Sequence, residues 1–159
     1  MSARSADAVL ALITGLDVAN NFAFLPHRRA LANATGGYDH TPLLTLCNAY
    51  LTCCTAGLGC AVPPMLANKQ HAWLMSNEGK LAGWMPIDPE TARQRAQLGY
   101  PTVAAALNPT GHGHVALVVP QAVTDAPGLY VSSAGAHNFI RAPLAKSFGS
   151  LHPEYFTHD

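Results

Sequence analysis

The sequence has no run of basic residues, no apolar run long enough for a bilayer and no C-x-x-C pair, and each absence removes a class of function. Nine Lys and Arg balance nine Asp and Glu. Phosphate binding needs a concentrated positive surface, so no nucleic-acid partner is expected, and a polybasic membrane contact is disfavoured for the same reason. No apolar stretch approaches the roughly 20 residues of a membrane span, which argues against stable membrane insertion. The cysteines, Cys47, Cys53, Cys54 and Cys60, crowd together without metal-site spacing, so no thiolate metal centre and no cofactor is expected. Cys53 and Cys54 read as small buried apolar residues, and pairing of Cys60 stays open because spacing gives no distance.

Charged residues make up only 11% of the chain and hydrophobic ones 49%, the reverse of the composition that keeps chains disordered. At 159 residues a single domain, 1–159, can bury a core without staples. The apolar run Ala8 to Ile13 is short and flanked by Asp7 and Asp17, so it reads as part of an amphipathic helix and not as an export signal. The expectation is a protein made in the cytoplasm without an ordinary secretory leader.

Apolar residues at helical spacing predict a first helix over Ala6 to Val18, with Ser5 as its cap. From Phe22 to Pro42, Pro26, Gly36-Gly37 and Pro42 punctuate an irregular segment. Leu43 to Leu58 predicts a helix beginning near Leu44 to Cys47 and stopped by Gly57 and Gly59. Further helices are expected over Met65 to Ser76, followed by a turn at Asn77-Glu78-Gly79, and over Pro89 to Leu98. Thr102 to Leu107, His114 to Val119 and Leu129 to Ser133 are apolar or β-branched runs between turn residues, as in an antiparallel meander. Helices first and strands after give an α+β architecture.

Cys47 falls at the start of its helix, where unpaired N–H groups and the helix dipole favour a thiolate. His114 opens a strand after Gly111-His112-Gly113. An imidazole on a strand facing a helix N-terminus is what acyl transfer by a Cys–His pair needs. His112 is a candidate substrate contact; its turn position and the lack of neighbouring acids argue against a metal role. Asp39 and His40, just upstream of Cys47, are candidates to reach the cleft. Trp73, Trp84, Tyr38 and Tyr155 are expected in the core or under loops.

Leu46-Cys47-Asn48-Ala49-Tyr50-Leu51, Gly59-Cys60-Ala61-Val62-Pro63 and Gly111-His112-Gly113-His114-Val115-Ala116-Leu117-Val118-Val119 resemble the NlpC/P60 and CHAP peptidoglycan amidases. The layout is most similar to the short amidase effectors of type VI secretion and to some phage lysins. Val131 to Phe139 looks like the segment after their second strand, and the resemblance spans roughly Leu43 to Phe156. It implies a papain-like fold with N-terminal helices packed on a small antiparallel sheet, and cleavage of an amide bond in cell-wall peptide through a thioester. It further implies Cys47 as nucleophile and first oxyanion donor through its backbone N–H, and His114 as base. The group that orients the imidazole is Ser133 or Asn138, or else a backbone carbonyl or a water. The family often has Asp or Asn before the cysteine and Ser or Thr after it. Here Leu46 precedes and Asn48 follows, making Asn48 a candidate for altered substrate contact.

The implied partners are peptidoglycan peptide and a cognate immunity protein. The chain is expected to act as a monomer in the periplasm or cell wall after delivery by a secretion system or lysis. A papain-fold acyltransferase and a non-catalytic binding or immunity-type domain are the alternatives.

Overall fold

A computed structural model of the chain describes residues 4–24 and 46–159. It is an α+β protein with six α-helices and a six-stranded antiparallel sheet among those residues. Asp39, with Tyr38 and His40, lies outside them.

Helix α1 (Ala6–Leu16) starts where Ser5 accepts a hydrogen bond from Ala8 N, as its capping chemistry predicts, and buries Val9 and Ile13. Helix α2 (Leu46–Gly57) buries Cys47, Tyr50, Leu51 and Cys54, a spacing of three and four that lines one face. The Thr55 hydroxyl donates to Leu51 O and accepts from Val62 N, which folds the chain back after Gly57. Helix α3 (Ala67–Met75) follows, and Gln70 joins it to α2 by donating to Asn48 O and Pro63 O.

Asn77-Glu78-Gly79 is not the simple turn expected. The Ser76 hydroxyl caps a short helix, α4 (Asn77–Leu81), by accepting from Gly79 N. Strand β1 (Trp84–Ile87) comes next, then α5 (Pro89–Gln97), capped by Asp88 with Pro89 in its first turn. Strands β2 (Thr102–Ala106), β3 (His114–Val119), β4 (Tyr130–Ser133) and β5 (Phe139–Pro143) form the expected meander with one strand more. A five-residue helix, α6 (Leu144–Phe148), leads to β6 (Glu154–His158).

The sheet order is β1-β6-β2-β3-β4-β5, so the C-terminal strand inserts between β1 and β2. Arg4 ties the two ends together, donating to Leu58 O and Asp159 O.

Alternation along β3 separates two cores. Val115, Leu117 and Val119 pack with Tyr50, Leu51, Leu74, Trp84 and Phe156 on the side of α1, α2 and α3. Ala116 and Val118 pack with Ala92, Ala96, Ala104 and Phe148 on the side of α5 and α6. The expected packing of N-terminal helices on an antiparallel sheet is present, and α5 and α6 cover the other face of that sheet. Among the described residues no helix is long and apolar enough to cross a membrane.

Candidate functional site

Cys47 and His114, far apart in sequence, line one cavity of about 570 Å³ at the end of the sheet where β3 begins. Leu46, Phe139, Phe148 and Leu151 supply apolar walls, and His112, His137, Lys146 and Ser147 the polar groups. A mostly apolar pocket with a few convergent polar groups, in a size range of roughly 300–1,000 Å³, is the usual form of a small-ligand site.

Cys47 enters from the first turn of α2 as described and is 4% exposed while lining the cavity. All four cysteines, each among the described residues, are free thiols. Cys54 and Cys60 are both buried; burial pushes their thiols up to about 12 and about 11, which keeps them protonated and unreactive at neutral pH. Cys53 corrects the sequence reading, since it is exposed.

The β2–β3 loop that presents His114 is held from α3. Asn68 donates to Asn108 O and Gly111 O and accepts from Asn108 N, while Asn108 donates to His112 O. Gly113 fits here because a Cβ would fall 2.2 Å from Asn68 Oδ1 and 2.5 Å from Ala106 O. That contact gives the glycine in Gly-His-Gly-His a physical reason.

His114 Nε2 lies 2.8 Å from Ser147 Oγ, and Ser147 Oγ lies 2.7 Å from Ser133 Oγ. The Phe148 ring meets the imidazole edge to face, with centroids 4.7 Å apart. Nδ1 has no hydrogen bond among the described residues. Burial pushes the imidazolium down to about 4, so the ring is neutral at pH 7.

The two candidates for orienting the imidazole are placed differently. Ser133 reaches it through Ser147. Asn138 donates to Val18 O and Phe24 O and accepts from Gly135 N, so its amide pins the segment after α1 to the β4–β5 turn and does not touch His114. Asn48 is 2% exposed and donates to Met65 O, holding the loop before α3; it is not part of the cavity lining. His112 does line it. Trp84 and Tyr155 are buried in the two cores, and Trp73 packs against the first.

Ser147, Phe148, Lys146, His137 and Asn68 were not found from the sequence. Ser147 and its neighbours sit on a helix too short to show a period. No group of three or more potential metal-ligating side chains occurs among the described residues.

No protein-family model matches the chain, and no curated protein matches it in sequence.

Proposed function

We propose that the chain is a cysteine hydrolase of the papain-like, NlpC/P60 type that cuts an amide bond in peptidoglycan peptide, with Cys47 as nucleophile and His114 as base. One observation carries this reading: a cysteine in the first turn of a helix and a neutral histidine opening a strand line the same cavity.

In this mechanism His114 takes the thiol proton as the Cys47 sulfur attacks the scissile carbonyl. Collapse of the tetrahedral intermediate breaks the C–N bond, and the imidazolium gives its proton to the leaving amine. The thioester is then hydrolysed by a water whose proton returns to His114, and release of the carboxylic acid regenerates the thiol. The Cys47 backbone N–H, at a helix start, is suited to stabilise the oxyanion. Lys146, His112 and His137 stand around the cavity with no carboxylate among its described lining, a setting that suits the carboxylates of a cell-wall peptide. Such a substrate places the action in the periplasm or cell wall, and a toxin of this kind calls for an immunity protein that plugs the cavity.

The test is cleavage of purified muropeptides, followed by mass spectrometry. The native chain should release a free amine and a free acid, and Cys47→Ala should lower the rate by about a thousandfold or more. Undiminished cleavage by Cys47→Ala would dispose of the reading, as would transfer of the acyl group to an amine instead of water.

A further inference from the structure

We propose that Ser147 is the positioning residue of His114: its hydroxyl holds the ring with the proton on Nε2 and the bare Nδ1 free to act as base, and Ser133 acts on the ring only through Ser147. The proposal deepens the nucleophile–base reading of Cys47 and His114 and rests on it for its catalytic consequence.

The geometry carries the assignment. In a strand-borne histidine the obvious orienting group is a side chain on the next strand, and Ser133 on β4 occupies that place. Its hydroxyl nonetheless bonds to Ser147 Oγ, and among the described residues Ser147 Oγ is what bonds the ring, at Nε2. The Ser147 hydroxyl of α6 therefore stands between Ser133 and the imidazole.

The neighbouring backbone is arranged for this. Val131 faces Ala142 and Ser133 faces Phe139, so β5 carries an extra residue in the stretch opposite Ser133, an irregularity that re-aims side chains. Leu144 N donates to Leu129 O at the start of α6, and Gly149 leaves the helix at φ +57°, a conformation that favours glycine. The same short helix adds Phe148 against the imidazole, so one element fixes the ring by a hydrogen bond and by an aromatic edge.

A hydroxyl can accept from Nε2–H and donate its own O–H to Ser133 Oγ. This chain of bonds satisfies Nε2 and Ser147 together and leaves the Nδ1 lone pair for proton transfer. Both partners are neutral, so Ser147 works by orientation and adds no charge to stabilise the imidazolium. Among the described residues, the titratable groups that share the cavity with the ring are Cys47 from α2, His112 from the β2–β3 loop, His137 from the β4–β5 turn and Lys146 from α6.

The experiment is nitrogen NMR of the histidine rings in the full chain at neutral pH, which reads the tautomer of His114 without reference to activity. The native protein should show Nε2 protonated and Nδ1 bare. Ser147→Ala should raise the Nδ1–H population several-fold, Ser147→Thr should restore the native pattern, and Ser133→Ala should give a smaller change. With muropeptide as substrate, Ser147→Ala should lower kcat by about ten- to a hundredfold with KM little changed, and Ser147→Thr should recover most of it.

A native ring protonated at Nδ1 overturns the proposal, as does a Ser147→Ala variant with the native tautomer or a Ser133→Ala change that exceeds it. The two readings fail separately. An inert protein whose Ser147→Ala variant shifts tautomer keeps the positioning role and loses the hydrolase; an active one whose tautomer ignores Ser147 does the opposite.

Discussion

The two faces of the sheet are built differently. On the side of α1, α2 and α3 the core holds Trp84, Tyr50, Phe156, Leu51 and Leu74, all fully buried. On the side of α5 and α6 it holds Ala92, Ala96, Ala104, Ala106 and Ala116, with Val118, Val131, Phe148 and Tyr155. Large side chains supply most of the apolar area removed from water, whereas small ones let a helix approach the sheet closely. The candidate pair is divided between these layers: Cys47 belongs to the thick core, and His114, by its alternation with Ala116 and Val118, shares the face of Ser133, Ser147 and Phe148. Stability and the orientation of the base are therefore largely assigned to different layers, and the cavity where β3 begins joins them.

The largest expected effect falls on the thick side. Trp84→Ala removes a fully buried indole from the first core and should cost about 3–5 kcal/mol, read from urea unfolding. The folded fraction should keep the tautomer of His114, since α6 lies on the other layer. A loss below about 1 kcal/mol would mean that the two faces share the burden and that the division is false.

Next comes the charge state of His114. Its native value near 4 lies below the ordinary 6.5, so between these the unfolded chain binds a proton that the native state refuses. Stability from this residue is complete above about pH 6.5 and is lost as pH falls toward about 4; the full loss is at most about 3 kcal/mol, reduced by the solvent that reaches a ring only half-buried. His114→Asn should flatten that part of the stability–pH curve relative to the native chain. Equal slopes in the two proteins between pH 6.5 and pH 4 would show that the imidazole is not held neutral by its surroundings. For the proposed hydrolysis the sign is the same, with the base active in its neutral form and the rate falling as pH drops through about 4.

The sequence makes these regions legible to different degrees. The thick layer was readable because its signals are local: an apolar helical period in α1 with Ser5 as its cap, and in α2 a stretch without proline or glycine up to Gly57 that glycines then end. Strand β3 was readable to the residue because its apolar run is bounded by a glycine turn and a proline. What escaped has no local signal. Pro86 interrupts β1, which survives because it pairs on one side only, at the sheet edge. Strand β6 has adjacent aromatics, Tyr155 and Phe156, with no alternating pattern, and owes its place to pairing with β1 and β2, far off in sequence. Ser147 is invisible for the same reason: nothing in Leu144 to Phe148 states that an imidazole from β3 will lie above it. Asn138 has the better hydrogen-bonding group by chemistry alone, yet its amide is taken by Val18 and Phe24, contacts that only the folded chain creates.

The smallest effect sharpens the thin side. Ala104 is fully buried, paired with Ala116 on β3 and Tyr155 on β6, and clustered with Ala92 and Ala96 of α5. If closeness of α5 to the sheet is why this layer is made of alanine, two added methyl groups have nowhere to go. Ala104→Val should then cost about 1–3 kcal/mol by forcing helix and sheet apart, even though it adds apolar area and valine favours strands. Valine is already accommodated next door at Val103, on the other face, where the neighbours are large and irregular enough to interlock. A neutral or stabilising Ala104→Val in urea unfolding would show slack between α5 and the sheet, and the alanines would then need a different explanation from close packing.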